Sequence, residues 1–158
     1  MAEWEAAVLD AQMDRLDAQN AKRSGSAALL TERIGEFACV HMPRDDGRIT
    51  ADSHYLFQMR LALDELSAPR DAFVEALNAE GVPCSAGYRP LHRMGMLRGE
   101  AFVKATGRTC SFDAAALPRT DLLCDAAVWI PGRVLLAADA DMHRVADAIA
   151  KVVVAFRR

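Results

Sequence analysis

Apolar positions recur every three to four residues at both ends of the chain and every second residue through parts of its middle. Trp4, Val8, Leu9, Met13 and Leu16 share one side of a helix predicted over residues 2–17, with Asp and Gln on the other side. A second helical stretch runs from Ala18 to Ile34, with Ala27, Leu30 and Ile34 opposite Lys22, Arg23 and Glu32. Gly25 weakens its middle, and Gly35 suits its end. The two stretches can also be one long kinked helix. The period then changes. "FACVHM" alternates as a strand, "PRDDGRITADS" is a polar, turn-rich loop, and "HYLFQMRLAL" carries aromatic and aliphatic residues at strand spacing.

A helix follows, with Ser67 as its cap, Pro69 in its first turn, Phe73, Val74 and Leu77 as its stripe and Gly81 at its close. "VPCSAGY" is a short extended segment and "RPLHRMGMLRGE" a loop. Residues 100–118 carry no clear period. Pro118 and Thr120 introduce the short helix "TDLLCDAAV", and "VWIPG" is a brief strand ending in a turn. Met142, Val145, Ile149, Val152 and Phe156 define the last helix, with Asp139 and Asp141 at its positive end and Arg157 and Arg158 at its negative end. This order predicts an α+β fold, a small and largely antiparallel sheet with helices on one face, preceded by a long N-terminal helix.

A chain of 158 residues that is 52% hydrophobic and 26% charged has the balance of a soluble domain with a real core. The net charge of −3, with both signs interspersed, argues against a nucleic-acid binder. No run approaches the ~20 apolar residues of a membrane span. Glu3, Glu5 and Asp10 near the start argue against a signal peptide. The cysteines, Cys39, Cys84, Cys110 and Cys124, are widely spaced and form no CxxC, which suits reduced thiols and a cytoplasmic setting. A zinc site built from them with His41 or His92 lacks close ligand spacing.

Several polar residues invite a functional reading. His54 and Tyr55 stand where the central strand is predicted to begin. His54 can serve as a ligand or proton shuttle, although a strand-edge His with a satisfied hydrogen bond is the commoner case. Arg60, in the same strand, faces either solvent or a carboxylate. His41 and His143 read as structural or exposed. Trp4 and Trp129 suit a core or an interface better than cofactor stacking. "RDDGR" is a charge-rich turn.

The segments "MAEWEAAVLDAQMDRLD", "HYLFQMRL", "RDAFVEALNAEGVPCSAGYRPLH" and "VWIPG", in this order and spacing, resemble the C-terminal part of the DegT/DnrJ/EryC1/StrS aminotransferases. These are pyridoxal-phosphate (PLP) enzymes of the aspartate aminotransferase fold, fold type I, which aminate keto-sugars and keto-cyclitols, often with glutamate or glutamine as donor. The wording of "MAEWEAAV" and "EGVPC" with the following "GY" is similar to members that aminate inositol-derived rings. In the family, the helix resembling "MAEWEAAV" follows the large PLP-binding domain, so Met1 is expected to be an internal methionine of the pattern. The resemblance implies a connecting helical segment over residues 1–34 and the small C-terminal domain over 35–158, without the large domain.

PLP transamination needs a Schiff-base lysine, an acid on the pyridine nitrogen and donors around the phosphate. The family carries these on the large domain. Lys22, Lys104 and Lys151 read as surface charges, and "GEAFVKATGRT" lacks the spacing of a phosphate loop. PLP is therefore implied for the complete enzyme and not for this chain alone, and no catalytic residue is assigned here. The family's substrate-contacting loop is matched by "GYRPLHR", residues 87–93, which makes Tyr88, Arg89 and His92 the candidate substrate contacts. Gly87 and Arg89 stand where many members have His and Pro. The ordinary alternative is a surface loop with a partly buried Tyr.

Three functional classes follow. The chain can be the small domain of a sugar or cyclitol aminotransferase, inactive alone and completing the site of a large domain in trans or in a homodimer. It can be a non-catalytic interaction module whose apolar N-terminal stripe seeks a partner. An independent enzyme pairing His92 with Cys84 or Cys110 shows no recognisable nucleophile–base spacing.

Overall fold

The computed structural model describes residues 2–44, 46–97, 99–108 and 117–158. Among these residues, six α-helices and four strands follow one another as α1 (Glu3–Met13), α2 (Leu16–Ile34), β1 (Val40–His41), β2 (Leu56–Leu61), α3 (Arg70–Ala79), β3 (Ser85–Ala86), α4 (Glu100–Thr106), α5 (Pro118–Ala126), β4 (Ala127–Pro131) and α6 (Asp139–Phe156). The strands form one antiparallel sheet in the order β1-β2-β4-β3. The α+β class and the antiparallel sheet are as the pattern predicts, with α2, α3 and α6 packed on one sheet face.

Alternation fills the core. Phe57, Met59 and Leu61 of β2 and Val128 and Ile130 of β4 point to the same side. There they meet Leu30 and Ile34 of α2, Phe73 and Leu77 of α3, and Met142, Ile149 and Val153 of α6. Ring-on-ring contact of Phe73 with Phe156, centroids 6.3 Å apart, joins α3 to the end of α6. The second half of α2 is thus part of this core. α1 is not: no residue of α1 is buried, and Trp4, Val8, Leu9 and Met13 all stand exposed.

Several predicted boundaries move. The N-terminal helices are separate and break at Asp14–Arg15, leaving Gly25 inside α2. The first strand shrinks from 37–42 to two residues. The central strand begins at Leu56, and His54 sits before it in a left-handed conformation, φ 46°. Asp52 sustains that geometry, accepting the His54 backbone N–H at 2.8 Å.

Ser67 caps nothing: α3 begins at Arg70, and the Ser67 N–H and hydroxyl both donate to the Phe156 carbonyl at the C-terminal end of α6. Gly81 closes α3 as expected. Its φ of 88° lets Val82 N–H reach Leu77 O and Gly81 N–H reach Asn78 O, the double-bonded Schellman ending. The predicted loop 89–100 contains two 3₁₀ turns, Leu91–Arg93 and Gly95–Leu97. The period-free stretch supplies α4. Cys110 and residues 109–116 lie outside the described residues. No described helix is long and apolar enough to cross a membrane.

Candidate functional site

The alternation that fills the core also decorates the other sheet face. Arg60 and Gln58 of β2 point away from the helices, as do Ala127 and Trp129 of β4. Register lines them up in two rows, His41–Arg60–Ala127 and Gln58–Trp129–Ser85. Met42 and Pro43 on one side and Leu123 of α5 on the other wall a cavity of about 220 Å³ over this face. Through Met42, Pro43 and Gln58 it adjoins a wider cleft of about 680 Å³ between α2 and residues 42–58. His54 and Asp52 line that cleft, the His54 Nδ1 lying 3.6 Å from an Asp52 oxygen.

The Tyr88 ring stands edge-on to Trp129, centroids 4.7 Å apart and planes at 87°. Gly87 permits this approach. A Cβ there would come within 3.0 Å of Ala127 Cβ and 3.5 Å of the Trp129 ring. A larger residue at this position would have to displace Ala127 or the loop itself. Asn78 anchors the segment upstream: its side chain donates to Cys84 O and accepts the Cys84 N–H.

The three sequence-predicted contacts part company. Tyr88, 74% exposed, and the exposed Arg89 stand at the rim of the open face. His92 turns inward and is 3% exposed. Its Nε2 lies 3.0 Å from Asp121 Oδ1 of α5, off the line of a hydrogen bond, while the Arg93 guanidinium reaches the same oxygen at 2.6 Å. Arg93 also donates to Asp125, so this group fastens the loop to α5. Sequence reasoning passed over Trp129, Gln58 and His41 as site residues and left Arg60 open. The period-2 pattern of β2 and β4 was the available signal.

Other candidate chemistry separates from this face. Burial pushes the Cys84 thiol up to about 11 and the Cys39 thiol above its ordinary value, so both rest as neutral thiols. That removes Cys84 as a nucleophile for His92. Among the described residues, no cluster of three His, Cys, Asp or Glu side chains could hold a metal.

The lysines do not fit a Schiff-base site. Lys22 is ion-paired with Asp139, Lys151 with Glu80 at 2.7 Å, and Lys104 is exposed on α4. None lines the open-face cavity or the adjoining cleft.

Comparison with known proteins bears on the family and the fold. The family model described as the DegT/DnrJ/EryC1/StrS aminotransferase family matches residues 1–150. The chain is 35% identical over 154 residues to 3-amino-5-hydroxybenzoate synthase of Amycolatopsis mediterranei (strain S699), covering 96% of this chain and 38% of that protein. It is 31% identical over 159 residues to L-glutamine:2-deoxy-scyllo-inosose aminotransferase of Streptoalloteichus tenebrarius, covering 96% and 37%. The crystal structure of 3-amino-5-hydroxybenzoic acid synthase superposes with a TM-score of 0.74 at 31% identity, covering 95% of this chain and 38% of that one. The chain thus spans under two fifths of the length of these relatives. By sequence and by fold, it belongs to the DegT/DnrJ/EryC1/StrS aminotransferase family.

Proposed function

We propose that this chain is the C-terminal portion of a PLP-dependent aminotransferase acting on keto-sugars or keto-cyclitols. It is inactive alone and completes the active site of a large PLP-binding domain in the cytoplasm, in trans or across a homodimer. The observation that carries this reading is α1. Its exposed Trp4, Val8, Leu9 and Met13 form an apolar stripe beside a domain whose own core is already filled. Residues 1–34 are read as the connecting segment and 35–158 as the small domain. Tyr88 and Arg89, at the rim of the open face, contact the polyol substrate, and His92 holds their loop against α5. PLP and its lysine belong to the large domain.

Co-expression with a large domain of the family, followed by assay of amino transfer from glutamine or glutamate to a keto-cyclitol in the presence of PLP, tests the reading. Activity is expected from the pair and from neither part alone. A stable, correctly assembled pair without activity overturns it.

The same stripe favours a second reading, a non-catalytic module that self-associates or binds another protein. Sedimentation separates the two. A monomer with no affinity for dyes that report apolar surface argues against the module.

A further inference from the structure

We propose that the open sheet face carries a binding site for a small carboxylate with an aromatic or apolar body, held by Arg60. Arg60 is half-buried and lines the 220 Å³ cavity, yet no acid pairs with it among the described residues. Its cross-strand neighbours are His41 and Ala127, neither of which supplies a negative charge.

The other half-buried arginines among the described residues, Arg23 and Arg70, both have side-chain partners; Arg23 donates to Asn20 and Gln19. Arg70 is ion-paired with Asp71 at 2.7 Å and also donates to the Cys124 carbonyl at 2.9 Å. Arg60 is likewise half-buried and has none of those partners, so its guanidinium is available to a ligand.

The cavity selects the kind of anion. A guanidinium fork matches a planar carboxylate through two parallel hydrogen bonds. Gln58 adds a side-chain amide that can donate beside it. The remaining walls are largely apolar, with Met42, Pro43, Leu123 and the Trp129 ring among them, which suits a ligand body that is itself a ring or a short hydrocarbon chain. The volume lies below the ~300–1,000 Å³ of pockets for drug-sized ligands, which limits the occupant to one ring or a short chain. For its meaning in catalysis the proposal rests on the reading of the open face as part of an aminotransferase site. Its test does not.

Benzoate is the probe. It is titrated into the full 158-residue chain carrying Trp4→Phe, so that Trp129 is the sole indole and reports binding by its fluorescence and its indole N–H resonance. Saturable perturbation of Trp129 is expected. The neutral isostere benzamide is expected to bind at least tenfold more weakly. Arg60→Met should abolish the response, and Arg60→Lys, which keeps the charge and loses the fork, should weaken it severalfold.

Equal binding of benzamide, unchanged benzoate binding by a folded Arg60→Met, or displacement of benzoate by inorganic phosphate at equal affinity overturns the proposal. If Arg60→Met does not fold, the benzoate–benzamide comparison on the Arg60 chain decides. The binding is read without a large domain, so its failure leaves the co-expression result standing, and the reverse holds.

Discussion

Leu30→Ala and Leu9→Ala apply the same chemical deletion to two apolar helical stripes that the structure places in opposite environments. Leu30 is fully buried in the core formed with the sheet and α6. Removing a buried leucine side chain costs its transfer free energy plus that of the cavity left behind, about 2–5 kcal/mol. A domain of this kind is stable by only ~5–15 kcal/mol, so that loss is a large fraction of the total. Leu9 is 54% exposed on α1. Less than half of its ~1.5–3 kcal/mol of burial is realised, and the better helix propensity of Ala offsets part of that. Leu9→Ala should therefore cost under about 1 kcal/mol. Urea unfolding of the two variants of the isolated chain measures both. The same Leu9→Ala change should weaken association with a large domain supplied in trans. Comparable destabilisation by the two variants would put α1 in the core and sink the interface argument. A small effect of Leu30→Ala would instead set the second half of α2 apart from the core.

Three further outcomes are expected. Asp121→Ala removes the shared partner of His92 and Arg93, costs roughly 1–3 kcal/mol locally, and should raise amide exchange across residues 88–97; unchanged exchange there would show that the group does not fasten the loop. Gly132→Ala sets a Cβ against the His54 carbonyl oxygen and 2.7 Å from the Tyr55 oxygen, where only backbone can yield. Its loss of thermal stability should reach or exceed the ~1–3 kcal/mol of ordinary overpacking. The Cys84 thiol is held up at about 11 against an ordinary 9.0, so the folded state keeps its proton longer than the unfolded chain does. That contribution is complete below pH 9 and is lost between pH 9 and pH 11. Cys84→Ala should show a smaller alkaline fall in melting temperature over that window, and rapid modification of Cys84 in the native protein at neutral pH would refute the account.

The long periodic elements were legible because burial repeats along them. The α6 stripe and the Phe73–Leu77 pair of α3 fell where spacing put them. The α1 stripe was equally legible as a helix, but periodicity reports that one side is apolar and says nothing of what covers it. The short strands were overestimated at their ends. Val40 and His41 pair with β2, whereas Phe37 lies in a turn, its N–H bonded to Ile34 O and its carbonyl accepting from Val40. Ser67 looked like a cap by residue type, and a tertiary acceptor at Phe156 won its hydroxyl. For the site, the resemblance named Tyr88 and His92 alike, while the structure sets Tyr88 exposed beside Trp129 and His92 buried beside Asp121, because a motif match carries no information about which way a side chain turns. The inward turn of His92 depends on Asp121, far along the chain on α5.

The open face itself needed only the period-2 reading of two strands, carried to both sides of the sheet. Once Phe57, Met59, Val128 and Ile130 are assigned to the core, Gln58, Ala127 and Trp129 can only face the other way, and Arg60 with them. The antiparallel register then sets Gln58 beside Trp129 and Arg60 beside Ala127. What the strands could not supply was the loop that stands on them. Tyr88 reaches Trp129 because residue 87 has no Cβ to strike Ala127, and Ala127 is small where Trp129 is large. A side chain at position 87 would have to push the loop off Trp129 by a few tenths of an ångström or more. The ring of Tyr88 would lose its edge-on contact, and the rim at Arg89 would shift with it. The shape of this face therefore depends jointly on positions 87, 127 and 129. Mutation of Tyr88 alone would leave all three determinants in place.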